Sequence, residues 1–327
     1  MSSNYQLWNK IQTVTKIQEK TLQQIVQINP VDPFANNRHF IPHIIHQNWD
    51  KHEVPQEFDT WIKSWMDFNP TWEYWLWTPD DVRALLKNKY PEYLSLYNKY
   101  KFNIFRCDVM RYFIMDTFGG FYVDMDMECL RPLDTWTMHN QCLLSHETYQ
   151  HPYLLFNKTV PNVVNGILAS RPGHPFFKQV IKSLPESFKK FPFDVLQGTG
   201  PFFLQRNLDK YEKSNSVLMS QSNVTSHDPN SVTVVTPDVF LPTYDPAYVK
   251  GLKDKCLKFG LKDKISKPAK DICLEMKQRD FKNPVNENSY TNHHWVHVFL
   301  SEAKWRSKPT VSIFDIVPKC KTYLETL

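Results

Sequence analysis

The chain has 327 residues, of which 41% are hydrophobic and 22% are charged, and this is the composition of an ordinary globular protein rather than a disordered one. Its formal net charge of +5 is small for this length, so it suits an anionic small-molecule ligand and argues against nucleic acid as a partner. A chain of this size forms one large domain or two modest ones.

The N-terminal segment 1–40 is predicted to form an amphipathic helix followed by a linker. Apolar residues recur at roughly helical spacing between Leu7 and Ile25, and the proline-rich segment 30–42 interrupts this pattern. We expect the helix to pack on the main domain. Pairing with a second copy of the chain, which would make a homo-oligomer, and contact with a membrane surface are the alternatives.

Neither a signal peptide nor a membrane-spanning helix is predicted. The opening segment MSSNYQLWNKIQTVTKIQEK is polar throughout and lacks a continuous apolar core. No apolar run in the sequence reaches the roughly 18 residues that span a bilayer. We therefore expect a soluble, cytoplasmic protein.

The six cysteines show neither a CxxC pair nor the spacing of metal ligands. Three of them lie in or near apolar runs, where a reduced and buried thiol is the usual state. Only Cys256 and Cys273 flank a polar, lysine-rich stretch in which a disulfide is conceivable. The pattern therefore favours a reducing compartment.

From Pro42 onward, short strands alternate with helices. The residue patterns predict strands at 43–49, 72–78 and 119–123, and helices at 55–68, 78–90 and 102–118. Thr78, followed by Pro79 and two aspartates, is typical of a helix N-cap. Such alternation predicts an α/β domain with a largely parallel sheet.

The C-terminal half is less regular. The segment VVNGILASRPGHPFFKQVIKSL (163–184) is predicted to form a helix, a turn and a second helix, and SVTVVTP (231–237) a short strand. The lysine-rich segment 250–283 is predicted to be a surface insertion or a flexible loop.

The segment GGFYVDMDMEC (119–129) places carboxylates on alternate residues directly after an apolar strand. Because residues i and i+2 of a strand point the same way, Asp124 and Asp126 are expected to reach one side at the carboxyl end, where open α/β sheets bind ligands. Hard oxygen ligands at this spacing suit Mg²⁺ or Mn²⁺. A DxD pair alone is a weak signal, and the apolar strand and the Gly119-Gly120 turn before it strengthen it.

Asp108 and Arg111 lie three residues apart on one face of the predicted helix 102–118. An intrahelical ion pair is the simplest interpretation. Next to a site for a diphosphate and a metal ion, however, Asp108 would accept hydrogen bonds from sugar hydroxyls, and Arg111 would steady the same ligand.

Five segments resemble glycosyltransferase family 32 in their order: IPHIIHQNW, SWMDFNPTWEYWLW, CDVMRYFIMDTFGGFYVDMDMECLRPLD, VNGILASRPGHPF and GTGP. These DXD sugar transferases include α-1,6-mannosyltransferases and capsular-sugar transferases. The combination of D-x-x-R-Y, G-G-x-Y-x-D-x-D and T-G-P is far more specific than DxD alone. The resemblance implies a GT-A fold over 41–327, in which a mixed sheet flanked by helices binds a nucleotide sugar.

The resemblance also implies roles for individual residues. Asp126 would be a metal ligand, and Asp124 would bind the ribose and sugar of the donor, with or without direct contact to the metal. Asp108 and Arg111 would hold the transferred sugar, and Asn165 would add another sugar contact.

Gln47 and Asn48, at the end of the first strand, would line the nucleotide pocket, with Trp49 as the candidate for stacking on the base. The family closes its metal site near the C-terminus with a histidine that a short Ser-Trp segment follows. This chain offers His293 and His294 there, but its Ser-Trp pair is not in the expected place. We predict His294 as the third protein ligand.

Together these features predict a metal-dependent, retaining glycosyltransferase that moves a hexose from a UDP- or GDP-sugar to a hydroxyl group of a glycan or protein. No carboxylate is an evident nucleophile, so same-face attack by the acceptor hydroxyl is the expected mechanism. A binding protein without turnover and a metal-dependent phosphohydrolase, including one that only hydrolyses the donor, are the alternatives. No basic stripe interleaved with aromatic residues points to nucleic acid.

Overall fold

The structure is a computed structural model, and it describes residues 40–221, 228–258, 266–285, 287–298, 305 and 307–327. The predicted N-terminal helix lies outside the described residues, so its packing and the domain boundary beside it stay predictions. Among the described helices, none combines the length and the apolar character that crossing a membrane requires.

Short strands and helices alternate along the described part of the chain. The strands are β1 (Ile44–Asn48), β2 (Glu53–Pro55), β3 (Glu73–Trp77), β4 (Gly120–Val123), β5 (Met127–Cys129), β6 (Cys142–His146), β7 (Val163–Ser170), β8 (Thr233–Val235), β9 (Thr291–His293) and β10 (Thr310–Ser312). The helices are α1 (Asp59–Phe68), α2 (Pro79–Lys89), α3 (Pro91–Lys99), α4 (Asn103–Thr117), α5 (Asp134–His139), α6 (Pro175–Lys190), α7 (Val195–Gly198), α8 (Pro201–Gln221), α9 (Pro237–Phe240), α10 (Val249–Lys258), α11 (Lys267–Gln278) and α12 (Ile313–Ile316). Single 3₁₀ turns occupy Gln56–Phe58, Pro246–Tyr248 and Leu324–Thr326, and a π-helical turn occupies His151–Leu155.

The central sheet has six strands in the order β3-β1-β4-β7-β6-β8. β1 is parallel to β3 and β4, β8 is parallel to β6, and β7 is antiparallel to both of its neighbours. Five strands therefore share a direction, and their carboxyl ends meet at one edge together with the amino end of β7. The predicted α/β fold with a mixed sheet between helices is confirmed, and β7 is the strand that makes the sheet mixed.

The sheet separates two apolar clusters, because successive side chains of a strand face opposite sides. On β3, Trp75 and Trp77 face the cluster covered by α4 and α6, whereas Tyr74 and Leu76 face the cluster covered by α1. Both faces of the sheet are thus buried. Polar side chains can gather at the end of the sheet where the carboxyl ends of the five strands lie.

The start of α2 is the N-cap that the sequence predicts. The Thr78 hydroxyl accepts from the Asp81 amide at 3.3 Å, and the Asp81 carboxylate accepts from the Thr78 amide at 2.9 Å. This reciprocal capping box satisfies two backbone donors that the first helical turn leaves without partners.

The segment 163–170 is a strand, and the predicted helix at this position is wrong. β7 pairs with β4 on one side and with β6 on the other, and seven of its eight residues are buried. A strand that is buried on both faces has no polar alternation, so an apolar run of this length resembles a buried helix in its periodicity.

The described parts of the lysine-rich segment 250–283 contain two helices, so the predicted flexible loop is wrong there, and the surface insertion stays a prediction. α10 and α11 pack through Leu252 and Ile272, and a disulfide joins Cys256 to Cys273 with their Cα atoms 5.2 Å apart. The other four cysteines are free. Because disulfides persist in oxidising compartments, this pair argues against the reducing compartment that the remaining cysteines suggest, and the cytoplasmic location stays a prediction.

A short antiparallel pair brings the C-terminal part of the chain to the acidic motif. β5 follows the motif directly and pairs with β9, with Met127 opposite His293 and Cys129 opposite Thr291. The Trp65 indole of α1 donates to the Met127 carbonyl at 2.9 Å. The segment that follows β9 is thereby held over the acidic residues.

Candidate active site

The acidic motif begins where β4 ends, and it forms a turn. The Asp124 amide donates to the Gly166 carbonyl at 2.9 Å, and the Met127 amide donates to the Asp124 carbonyl at 3.1 Å. Met125 is buried between the two aspartates. The expectation of an extended backbone at Asp124 and Asp126 is therefore wrong, because a turn and not the two-residue period of a strand sets the direction of these carboxylates.

The Gly119-Gly120 turn lies at the start of β4, the strand that leads into the acidic motif. Gly119 and Gly120 have φ angles of +65° and +84°, which L side chains rarely adopt. A Cβ atom on Gly119 would lie 2.4 Å from the Ser170 carbonyl oxygen of β7. His46 Nε2, on β1, donates to the Gly119 carbonyl at 2.9 Å. The predicted close backbone approach is confirmed, and it ties three strands together.

Arg111 of α4 joins the helix to the acidic turn. Its buried guanidinium lies 3.3 Å from Asp108 Oδ1 and 3.2 Å from Asp124 Oδ1. It also donates to the Asn165 carbonyl at 2.5 Å and lies over the Tyr122 ring, 4.5 Å from its centroid. The predicted intrahelical ion pair is present, and the contact with Asp124 extends it into a bridge between two elements.

Asp108 is buried among hydrogen-bond donors. Asn165 Nδ2 donates to its Oδ1 at 2.8 Å, and the Thr199 hydroxyl donates to its Oδ2 at 2.9 Å. Burial raises the pKa of Asp108 to about 6, although Arg111 and Thr199 oppose this shift. These donors occupy three of about four lone-pair positions of the carboxylate, so one position on Oδ2 remains for a ligand. Gly200 lies close to this carboxylate, because a Cβ there would lie 3.5 Å from Oδ2 and 3.0 Å from the Val195 carbonyl oxygen.

Asp126 faces the segment that follows β9. Its Oδ1 lies 3.1 Å from His293 Nε2, and its Oδ2 accepts from the Val296 amide at 2.8 Å. Burial alone would raise the pKa of Asp126, but His293 and the Val296 amide lower it to about 2. Burial would lower the pKa of His293, but Asp126 raises it. Asp126 is therefore ionised and paired.

His294 is directed elsewhere. Its amide donates to the Asp126 carbonyl at 2.9 Å, but its imidazole lies 3.1 Å from Glu128 Oε2 and stacks on the Trp61 ring at 3.9 Å. The structure thus brings His293, and not His294, to the Asp126 carboxylate.

Asn48 and Trp49 line an open cleft beyond the carboxyl ends of β1 and β3. Arg83 and Arg106 contribute cationic groups to the same cleft. The Tyr122 hydroxyl lies 2.5 Å from Asn48 Oδ1 and 2.9 Å from Asp124 Oδ1, so a hydrogen-bonded side chain connects the wall of the cleft to the acidic turn. Trp49 packs edge to face on Phe58, with ring centroids 5.6 Å apart, and forms a fixed wall.

Gln47 is fully buried behind this cleft. Its Oε1 accepts from the Tyr74 hydroxyl at 2.5 Å, and its Nε2 donates to the Asp124 carbonyl at 3.0 Å. Gln47 therefore positions the acidic turn, and the structure does not bring it to the cleft that Asn48 and Trp49 line.

Residues 55–143 match the model of the glycosyltransferase sugar-binding region that contains the DXD motif. An uncharacterised glycosyltransferase of Acanthamoeba polyphaga mimivirus is 33% identical over 178 residues, which are 54% of this chain and 67% of that protein. The chain belongs to the DXD glycosyltransferases of family 32.

Two further similarities accompany this assignment. Inositol phosphoceramide mannosyltransferase 3 of Schizosaccharomyces pombe is 36% identical over 174 residues, and the match spans 52% of this chain and 46%, about half, of the relative. The solved structure of mouse xyloside xylosyltransferase 1 covers 77% of this chain and 96% of its own, at 11% identity and a TM-score of 0.42. The mixed α/β fold of the present chain is read from its own strand order, described above.

Sequence reasoning missed two residues of this candidate site. Thr199 lies in the GTGP segment that carries the resemblance, and that segment was its signal. His293 is the last residue of β9 and His294 is the first residue after it, so no local pattern distinguishes the two. Only the register of β9 on β5 places His293 beside Asp126.

Proposed function

We propose that this glycosyltransferase is metal-dependent and retaining, and that it transfers a hexose from a UDP- or GDP-sugar to a hydroxyl group. The observation that carries the proposal is the bridge of Arg111 between Asp108 and Asp124, which joins a buried sugar-binding carboxylate to the acidic turn. We expect the remaining lone-pair position on Asp108 Oδ2 to accept a hydrogen bond from a sugar hydroxyl.

The groups around Asp126 fit a divalent cation. Mg²⁺ and Mn²⁺ are often held by one or two protein ligands, with waters and substrate phosphates completing the coordination. In the ranges that the structure describes, no three or more His, Cys, Asp and Glu side chains form a group that could hold a metal ion by themselves. We assign the ion to Asp126 and His293, in place of the predicted His294, with Asp124 beside them. When bound, it would stabilise negative charge on the leaving diphosphate.

The side chains of the protein do the remaining work. Asp108 accepts a hydrogen bond from a hydroxyl of the transferred sugar, and Asn165 and Thr199 hold its carboxylate in place. Arg111 opposes the rise in pKa that burial causes in Asp108 and Asp124, and it holds both carboxylates in place. Asn48 and Trp49 take the nucleotide in the cleft beyond β1.

Retention follows from same-face attack. The acceptor hydroxyl oxygen bonds to the anomeric carbon on the face from which the diphosphate oxygen departs. The leaving diphosphate takes the acceptor proton, so the products are the glycoside and the nucleoside diphosphate. A double displacement would instead require a carboxylate nucleophile below the sugar, and the ion pairs with Arg111 make Asp108 and Asp124 weaker nucleophiles.

The mannosyltransferase relative suggests the substrates. We extend the proposal to a mannosyl group as the transferred hexose, and to a hydroxyl of an inositol phosphoceramide or a similar lipid-linked polyol as the acceptor. This narrows the glycan or protein acceptor that the sequence predicts. The support is the 36% identity, which covers about half of each chain.

The test is nucleoside diphosphate release from a panel of UDP- and GDP-sugars, with Mn²⁺ or with EDTA. We expect release from one donor that EDTA abolishes, and faster release when inositol phosphoceramide is added. Asp126→Asn should abolish it, while the matched change Asp67→Asn, on the exposed face of α1, should not.

Other outcomes would contradict the proposal in distinct ways. Release that no acceptor accelerates would establish a donor hydrolase. Tight donor binding without release would establish a binding protein on this fold. If Asp126→Asn kept full activity in EDTA, the reaction would not depend on a metal ion.

A further inference from the structure

The hairpin of α10 and α11 concentrates positive charge. Residues 249–258 and 266–282 carry nine Lys and Arg side chains against four Asp and Glu side chains. Their net charge of +5 equals that of the whole chain, so the rest of the protein is neutral overall. Seven of the lysines are exposed, and they are Lys250, Lys253, Lys258, Lys267, Lys270, Lys277 and Lys282.

Each helix of the hairpin also exposes a large apolar side chain. Leu257 is 57% exposed on α10, and Leu274 is 56% exposed on α11. Lys253 precedes Leu257 by one turn, and Lys270 precedes Leu274 by one turn, so each leucine shares a helix face with a lysine. Asp254 and Asp271 also lie on these faces, but lysines outnumber the acidic side chains of the two helices. An exposed apolar residue on a helix with excess lysine is typical of a helix that rests in a membrane interface.

The disulfide keeps the two leucines together. Leu257 follows Cys256 and Leu274 follows Cys273, whose Cα atoms are 5.2 Å apart. Since consecutive Cα atoms are ~3.8 Å apart, the Cα atoms of the two leucines lie within about 13 Å of each other. The disulfide therefore holds the two exposed leucines near each other on a part of the chain that is rich in lysines.

The packed side of the hairpin is connected to the candidate active site through a short series of contacts. α10 and α11 pack on the π-helical turn through Leu154, and the Lys255 ammonium donates to the Leu154 carbonyl. At the other end of the same turn, the His151 ring lies 4.8 Å from the ring of Trp295. The Trp295 ring in turn lies 4.1 Å from that of His293, which contacts Asp126. A continuous series of contacts thus links the hairpin to the acidic turn.

We propose that the α10–α11 hairpin docks this enzyme on an anionic phospholipid surface. The lysines face the lipid phosphates, and Leu257 and Leu274 enter the interface between headgroups and acyl chains. The docking is inferred from the positive charge of the hairpin and from its two exposed leucines. Its purpose, which rests on the proposed function, is to bring the active site to an acceptor whose polyol headgroup lies in the plane of the membrane.

Sedimentation with vesicles tests the docking directly. The full chain is mixed with vesicles of phosphatidylcholine alone, and with vesicles that also contain phosphatidylserine. We expect binding to the anionic vesicles only, and loss of binding at high salt, where the Debye length falls from about 10 Å to about 3 Å. Each basic side chain near such a surface strengthens binding about fivefold.

Two sets of variants locate the surface. Lys250→Glu with Lys270→Glu should weaken binding at least about 25-fold, and both positions lie near helix N-termini, where glutamate is favourable. Lys182→Glu with Lys189→Glu makes the same charge change on the exposed face of α6 and should cost far less. Leu257→Ser with Leu274→Ser should weaken binding without a change in net charge.

Absence of wild-type binding to anionic vesicles, or equal losses in the two lysine doubles, would overturn the proposal. Donor turnover by the same variants is measured without vesicles, and it should equal that of the wild type. A protein that binds vesicles but transfers no sugar would refute the proposed function alone, whereas a transferase that ignores vesicles would refute the docking alone.

Discussion

His46 is expected to make the fold sensitive to acid. Its side chain is fully buried on β1, where Nδ1 accepts from Trp77 Nε1 at 3.0 Å and Nε2 donates to the Gly119 carbonyl at 2.9 Å. Only the neutral imidazole satisfies both partners, because a protonated Nδ1 would point its hydrogen at the indole N–H. Burial lowers the pKa of His46 to about 3, although the Gly119 carbonyl opposes the shift.

The magnitude follows from the difference between the folded and unfolded states. The ordinary pKa of 6.5 applies in the unfolded chain, so below this pH the unfolded state binds a proton that the folded state excludes. The neutral histidine has no such cost above pH 6.5, and stability falls as the pH drops from 6.5 toward 3. At about 1.4 kcal/mol per pH unit, lowering the pH from 7 to 5 costs about 2 kcal/mol.

Urea unfolding followed by tryptophan fluorescence measures this loss. His46→Gln removes the titration and is expected to be less stable at pH 7, but to lose about 2 kcal/mol less than the wild type on acidification. His139→Gln removes an exposed histidine and should retain the wild-type pH dependence. If His46→Gln and the wild type lose equal stability between pH 7 and pH 5, the reasoning is refuted.

Three further changes test the site and the hairpin. Arg111→Lys cannot span Asp108 and Asp124, so it should cost about 3 to 5 kcal/mol of stability in urea unfolding, and stability equal to that of the wild type would contradict the bridge. Thr199→Val leaves one oxygen of Asp108 without its donor and should cost about 1 to 3 kcal/mol. In calorimetry the same variant should weaken binding of the nucleotide sugar but not of the nucleoside diphosphate, and an equal loss for both would remove Asp108 from the sugar site. Reduction of Cys256–Cys273, which are 17 positions apart, should lower stability by about 3 kcal/mol according to the loop-closure entropy, and a urea midpoint that does not respond to reductant would contradict this.

Several parts of the fold could be predicted because their signals are local. Strands β1, β3 and β4 and helices α1, α2 and α4 lie where alternation, helical spacing and the Thr78 capping box indicate. A capping box involves four consecutive residues and a strand period involves two, so neighbouring residues suffice to reveal them.

Other parts could not be predicted because they depend on distant partners. β7 is buried on both faces by β4 and β6, and this removes the polar alternation that identifies a strand. The lysines of 250–283 suggest a solvated loop, whereas Leu252, Ile272 and the disulfide bury one side of two helices there.

The sequence by itself determined which residues could form the site, since D-x-x-R-Y, the acidic motif and GTGP each consist of a few neighbouring positions. Only the tertiary structure decided how these residues combine. It places Arg111 between Asp108 and Asp124, buries Gln47 behind the turn, and brings His293 to Asp126 across more than 160 residues. The physical reason is that strand register and sheet order bring remote residues together, and no local pattern encodes either of them.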